Sequence, residues 1–260
     1  MSQEDFYIGW KEDGQNDHNR MTRRIVGIMC LLVLLLISII AVQQKPFSDH
    51  VFELGKLTQV TGVYFDKPVP ILYADEGILP EGTSRDVLLI GYGKSGAEGI
   101  IDQIKSKVGK ISGLRLTLEG TLIYGDGKTL LELTRKEDSF IQEYYGKRSQ
   151  ERNLMGEDVT MNGEILDPKC YFGVMKPGEG KVHKSCAIRC ISGGIPPVFR
   201  QQTLDSERPY VYYILLGEDG KKINKEVLQH VGEDISVQGR TGKFINWDIL
   251  YINPSDIELL

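Results

Sequence analysis

The most apolar stretch of the chain lies near its N-terminus, where residues 25–42 read IVGIMCLLVLLLISIIAV without a charge. An apolar helix of about 18 or more residues is long enough to cross the hydrocarbon core of a bilayer. A helix buried in a soluble core would normally keep a polar face, and here Ser38 is the only polar side chain. The pattern therefore predicts a transmembrane helix over residues 25–44.

Basic residues are distributed unevenly about this helix. Arg20, Arg23 and Arg24 directly precede it, whereas Lys45 and Lys56 are the first basic residues after it. The positive-inside rule then places residues 1–24 in the cytoplasm and the remainder outside. This predicts a single-pass protein of the cell inner membrane, with periplasmic or extracellular C-terminal domains.

A cleaved signal peptide is the alternative interpretation of the same segment. Its apolar region is usually 7–15 residues long and ends in a small-x-small cleavage site. Residues 39–41 (IIA) fit that cleavage site poorly. Residues 22–26 (TRRIV) contain the two arginines of a twin-arginine signal, but the apolar run after them is more apolar than such a signal requires. An uncleaved signal anchor is therefore favoured.

Beyond the anchor, one pattern of apolar and glycine positions occurs twice. Residues 113–134 align with 232–253, so that three positions of the first copy (Leu116, Leu118 and Gly120) match three of the second (Ile235, Val237 and Gly239). Upstream of each, apolar residues recur four apart (Ile100, Ile104 and Val108; Ile223, Val227 and Val231). Such self-similarity indicates a tandem repeat.

The pattern of each copy predicts a strand, a connecting segment, a second strand, a short helix, a third strand, a turn and a fourth strand. Alternating apolar residues in the late strands are typical of a half-buried antiparallel sheet, and this order resembles the OB-fold, a small five-stranded barrel. The predicted fold class is mainly β with short helices: one N-terminal transmembrane helix, then OB-like domains at 45–134 and 159–260. The charge-dense residues 135–158 are either a partly helical linker or a terminal helix packed on the first domain.

The formal net charge is −5, and no stripe of interleaved basic and aromatic residues follows the predicted barrels. Nucleic-acid binding by OB-folds depends on such a stripe. We therefore expect no nucleic-acid partner.

The glycine-rich stretch 91–99 (GYGKSGAEG) lacks the spacing of a phosphate-binding P-loop. A turn that leads into a helix explains it better.

Three of the four cysteines lie in an insertion that only the second copy has. His183, Cys186 and Cys190 are spaced by three and four, which places them on one face of a helix. Cys170 precedes them and is joined to them by the glycine-rich PGEG of 177–180. The fourth, Cys30, lies in the predicted membrane helix and is interpreted as inert packing.

Three interpretations of this cluster remain open. In the first, Cys170 forms a disulfide with Cys186 or Cys190. Disulfides persist in the oxidising space outside the cell, where this domain is predicted to lie. Alternatively, the three cysteines and His183 form a Cys3His set that suits zinc or copper. A third interpretation is thiol redox chemistry, with a thiolate stabilised by three nearby cations, Lys181, Lys184 and Arg189.

The order Asp-x-x-Cys (167–170), His-x-x-Cys-x-x-x-Cys (183–190) and Gly-Gly-x-Pro (193–196) resembles the signature of a family of small exported bacterial proteins. The resemblance covers residues 159–258. It implies an OB-like barrel with the Cys/His cluster as its signature, and it implies no activity. As a whole, the chain is similar to membrane-anchored bacterial proteins, and it departs from the small family in its anchor and in a first barrel without cysteines.

The cytoplasmic arm carries the aromatic residues Phe6, Tyr7 and Trp10. Aromatic rings favour the membrane interface, so the arm either lies against the headgroups or docks on another membrane protein. Among histidines outside the cluster, His50 has no ligand-spaced neighbours, and His230 is expected at the exposed edge of the second short helix.

No catalytic motif such as GxSxG or HExxH is present. The sequence therefore predicts a non-catalytic, membrane-anchored, extracytoplasmic accessory or assembly subunit of a larger bacterial membrane complex, with other membrane-protein subunits as partners. The alternative is a metal-binding or thiol-redox carrier that acts through Cys170, His183, Cys186 and Cys190.

Overall fold

The computed structural model describes residues 16–43, 50–144, 154–173, 175–206 and 209–260. The chain divides into two compact units, Met1–Phe47 and Ser48–Leu260. The aromatic arm that carries Phe6, Tyr7 and Trp10 lies outside the described residues, so its docking role stays a prediction.

The first unit contains one helix, α1 (Asn16–Gln43). Its segment Asn19–Gln43 is long and apolar enough to cross a membrane. The helix starts upstream of the predicted residue 25 because the arginine-containing segment before the apolar run also favours a helix. The hydroxyl of Ser38 donates a hydrogen bond of 2.8 Å to the carbonyl of Leu34, which leaves no unsatisfied side-chain group within the apolar run.

The first half of the second unit is a closed barrel of five strands, which we call the first barrel. Its elements in chain order are β1 (Val51–Phe52), β2 (Thr58–Phe65), β3 (Ile71–Ala74), β4 (Asp86–Ile90), α2 (Glu98–Val108), β5 (Arg115–Gly125), β6 (Lys128–Leu133) and β7 (Phe140–Tyr144). The barrel runs β5-β2-β3-β4-β6, and pairing of β6 with β5 closes it. β4 and β6 are parallel, whereas β1 and β7 add to β5 outside the ring.

The second barrel repeats this arrangement. Its elements are β8 (Leu154–Leu166), α3 (Pro168–Tyr171), α4 (Gly180–Ser192), β9 (Val198–Gln202), β10 (Tyr210–Gly217), β11 (Asp234–Phe244) and β12 (Trp247–Leu259). The closed order is β10-β12-β11-β8-β9, with β10 and β12 parallel. Strand for strand this is the order of the first barrel, so the predicted fold class of two tandem OB-like barrels is confirmed.

The glycine shared by the two sequence repeats has a steric role in both barrels. A Cβ atom at Gly120 would collide with the backbone oxygen of Glu132, and one at Gly239 would collide with that of Tyr251. Each glycine lies in the strand that pairs with the last strand of its barrel, Gly120 opposite Leu133 and Gly239 opposite Ile252. The repeat therefore reflects a requirement of barrel closure.

Two local features differ from the sequence-based expectation. The segment that matches α2 in the second barrel forms turns and a single 3-10 turn, Leu228–His230. The side-chain amide of Asn224 donates to the carbonyls of Ile191 and Ile195 at 2.8 Å each, and these bonds tie the segment to the end of α4. In the region 135–158, β7 pairs with β5 and β8 starts at Leu154.

Each barrel has a buried hydrophobic cluster of its own, and a third cluster joins the two barrels. A single buried cluster contains Phe65 and Leu88 from the first barrel and Phe172 and Val198 from the second. Trp247, also buried in this cluster, donates its indole N–H to the backbone oxygen of Asp86 at 3.0 Å. The insertion with α3 and α4 lies at this junction, which places the cysteine cluster beside the first barrel.

Candidate functional site

The insertion of the second barrel presents its candidate ligands on two helices. Asp167 directly follows β8 and caps the single turn of α3: its Oδ1 accepts a 3.0 Å hydrogen bond from the backbone N–H of Lys169. Pro168 follows at the first helical position, where a missing N–H costs nothing. This turn positions Cys170.

The predicted helix over the HKSCAIRC motif is confirmed as α4. His183, Cys186 and Cys190 follow one another along it at the i, i+3 and i+4 spacing, so they share one side. α4 ends at Ser192, Gly193 caps it, and Gly194 has the positive φ of 103° that favours glycine. The fold brings Cys170 of α3 onto this side of α4.

The ligand atoms form two groups that share one thiol. Cys170, His183 and Cys186 have ligand atoms within 4.8 Å of one another, and so do Asp167, Cys170 and Cys190. The Sγ atoms of Cys170 and Cys186 are 3.9 Å apart, and all the cysteines are free thiols. Cys190 therefore lies with Asp167, and the four residues predicted as one Cys3His set are divided between two adjoining groups.

Two polar atoms in these groups are buried without a hydrogen-bond partner. His183 is 3% exposed and Asp167 is 0% exposed, and His183 Nε2 and Asp167 Oδ2 both lack a partner. Leaving a buried polar atom unsatisfied costs about 1–3 kcal/mol, and more for a charged group. A cation bound between the two groups would satisfy both atoms.

The electrostatics of the site favour the neutral forms of Cys170 and His183 when no cation is present. The pKa of the Cys170 thiol is raised, first by its hydrogen bond with Cys190 and then by burial and the charge of Asp167. Burial lowers the pKa of His183 below its ordinary value. A neutral imidazole is the form that binds a metal ion, whereas thiols must lose their protons when the ion enters.

The first barrel contributes a lysine that the sequence did not point to. Lys94 Nζ lies 3.2 Å from Cys186 Sγ, and this hydrogen bond raises the pKa of Lys94. Two of the cations expected to act on the thiols lie elsewhere: Lys181 and Lys184 pair with Glu233 at 3.3 and 2.8 Å. The cation beside the cysteine cluster is therefore supplied across the barrel junction.

The glycine-rich stretch 91–99 leads into α2, as the sequence predicts, and it also makes hydrogen bonds with the second barrel. Lys169 Nζ donates to the backbone oxygen of Gly91 at 3.2 Å and to Glu132 Oε1 at 2.7 Å. The N–H of Gly96 donates to the carbonyl of Gly193 at 2.9 Å. One contact is made by the residue before Cys170 and the other by the residue after α4, so the loop contacts both helices that carry the cluster.

The remaining histidines of the second unit do not join the cluster. His230 is 9% exposed, which corrects the expectation of an exposed edge, because the 3-10 turn packs it inward. His50 lies between the carbonyl of Tyr171 at 2.9 Å and a carboxylate oxygen of Asp126 at 3.1 Å. Among the residues that the structure describes, the two groups around Cys170 are the ones able to hold a metal ion.

Comparison of the chain with protein-family profiles, with curated proteins and with solved structures finds no match. The chemistry of the cluster is therefore the basis for a functional assignment.

Proposed function

We propose that this chain is a membrane-anchored, extracytoplasmic metal-binding protein. Its second barrel holds a transition-metal ion through Cys170, His183 and Cys186. α1 acts as the uncleaved anchor in the cell inner membrane, with the N-terminus in the cytoplasm and both barrels outside. Support for this orientation comes from Arg20, Arg23 and Arg24 on one side of the apolar run.

The buried, unpartnered Nε2 atom of His183 is the observation that carries the proposal. A buried ring nitrogen normally has a hydrogen-bond partner, and although His230 Nδ1 also lacks one, His230 lies outside the two ligand groups. His183 instead lies with two thiols whose sulfur atoms are 3.9 Å apart. Thiolate and imidazole together are the ligands that zinc and copper prefer.

A bound ion would also keep these thiols reduced in an oxidising compartment. Cys170 and Cys186 are close enough in space that a small movement would let them form a disulfide. Metal coordination protects such thiols from oxidation, because it occupies the sulfur lone pairs. The experiment must therefore distinguish a metal site from two alternatives, a disulfide and a thiol-redox carrier.

The test is a native mass spectrum of the full chain in detergent, purified without a chelator, together with metal analysis. We expect additional mass that matches zinc or copper and that is lost on acidification. His183→Gln should abolish binding of the ion held by Cys170, His183 and Cys186, because it removes the imidazole and keeps a similar volume. His230→Gln, which changes another buried histidine of the same barrel, should bind as the unaltered chain does.

A metal-free mass lower by the two hydrogens of a disulfide would contradict the proposal and favour the disulfide. Loss of metal in both histidine variants would indicate a general folding defect, which circular dichroism of the two proteins would reveal. An unchanged metal content in His183→Gln would show that no ion is held through His183.

A role as an accessory or assembly subunit of a larger membrane complex is the second proposal. It is favoured by two closed barrels joined through a buried cluster, since barrel closure leaves little open sheet edge. Other membrane-protein subunits are the expected partners. Deletion of residues 1–19 should release a partner that the full chain retains during purification, and unchanged association would contradict docking through Phe6, Tyr7 and Trp10.

A further inference from the structure

The part of the cluster around Asp167 has no role in a site that holds one ion. Asp167 lies with Cys170 and Cys190 as a group of three ligand atoms, adjoining the group of Cys170, His183 and Cys186. Oδ1 of Asp167 is used as the cap of α3. Its Oδ2 is buried without a partner and is free to bind a cation.

Charge balance distinguishes one ion from two. When ionised, Asp167 and the thiolates of Cys170, Cys186 and Cys190 carry four negative charges, and neutral His183 adds none. One divalent ion leaves two of these charges uncompensated at a largely buried site, whereas two divalent ions balance all four. Uncompensated buried charge is costly, and Lys94 is the neighbouring cation identified at the cluster.

We propose that the cluster is a two-metal centre in which the Cys170 thiolate bridges two divalent ions. One ion takes Cys170, His183 and Cys186, and the other takes Cys170, Cys190 and Asp167. This inference rests on the proposed metal-binding function and adds a second ion to it. Two groups that share one sulfur are compatible with ions about 3.5–4 Å apart, the usual separation in two-metal sites.

The donor set indicates zinc rather than copper for the second ion. A carboxylate with two thiolates suits zinc, which accepts both oxygen and sulfur ligands. Copper(I) prefers soft sulfur ligands, and two monovalent ions would leave two of the four negative charges unbalanced. Each ion has three protein ligands and therefore retains a position for water or for another ligand.

Titration of the metal-free full chain in detergent with Co(II) tests the number of ions. Co(II) occupies zinc sites and produces thiolate-to-metal absorption, which reports the sulfur ligands directly. We expect absorption to rise up to two equivalents in the unaltered chain. Asp167→Asn and Cys190→Ser should each saturate at one equivalent, and native mass spectra with Zn(II) should show the same change from two ions to one.

Asp167→Asn keeps a side-chain oxygen for the cap of α3, so a loss of folding is not expected. Asp86→Asn is the matched control, because Asp86 is another buried aspartate at the barrel junction and lies outside the cluster. It should saturate at two equivalents.

Saturation of the unaltered chain at one equivalent, unchanged in Asp167→Asn, would overturn the two-metal centre and leave the proposed single-metal function standing. Two equivalents in both proteins would also overturn it, since the second ion would then not need Asp167. Absence of any binding would overturn the proposed function together with this inference.

Discussion

At the scale of single residues, the pKa values of two aspartates at the barrel junction shift in opposite directions: Asp86 is buried, whereas Asp126 is exposed. Burial raises the pKa of Asp86, although its side chain accepts a hydrogen bond from the N–H of Asn246 at 3.1 Å. The pKa of Asp126 is lowered, first by its hydrogen bond with His50. Both lie at the junction of the barrels, where neighbouring charges include Lys128 for Asp86 and Lys176 for Asp126.

Asp86→Asn should make the chain more stable than the unaltered protein at pH 8. A pKa that is raised on folding means that the stability associated with Asp86 is fully present below its unfolded pKa of about 3.9 and is lost as pH rises. Asparagine remains neutral, so it avoids that loss and can still accept from Asn246. Thermal unfolding of chelator-treated protein from pH 4 to 8 should show a difference that shrinks toward acid.

Asp126→Asn is the control with the opposite sign. Its lowered pKa gives stability that is present above the unfolded pKa and is lost as pH falls through the folded pKa. The substitution should therefore destabilise the protein at pH 8, and the difference should disappear in acid. Parallel pH profiles for the two variants would contradict both assignments.

At the scale of elements, α3 depends on tertiary contacts. A helix of a single turn is unstable alone, because nucleation costs more than one turn of hydrogen bonds returns. Asp167 and Pro168 start the turn, and Lys169 fastens it to the loop of the first barrel and to Glu132. The position of Cys170 is therefore set by a contact between the two barrels.

Lys169→Met should destabilise the second unit strongly. Removing one partner of a buried ion pair costs about 3–5 kcal/mol, since the other charge stays buried without compensation, and Glu132 is 9% exposed. Urea unfolding measures this change. Lys181→Met is the control, because Lys181 pairs with Glu233 on the surface, where such pairs contribute about 0–1 kcal/mol. Equal effects of the two substitutions would show that Lys169 is not a structural anchor.

At the scale of the whole second unit, two barrels of the same strand order differ in one insertion. The first barrel supplies Lys94 and the glycine-rich loop, and the second supplies the candidate ligands. Gly193 makes the close approach possible, since a Cβ atom there would collide with the backbone oxygen of Lys94. The candidate metal centre is thus built by the second barrel and completed by the first.

Features that depend on local pattern were predicted from the sequence. The apolar run specified a helix able to cross a membrane, because length and lack of charge decide that property. The repeated glycines and alternating strands specified the two barrels, because closure imposes the same spacing on each copy. The i, i+3 and i+4 spacing placed His183, Cys186 and Cys190 on one side of α4.

Only the tertiary structure decided how these side chains combine. It placed Cys190 with Asp167 rather than in a single set with His183, and it brought in Lys94 from a loop that lies far away along the chain. It also buried His230 and replaced the second short helix by a 3-10 turn. Periodicity reports which residues share a face of one element, whereas the approach of α3 to α4 follows from the packing of the two barrels against each other at their junction.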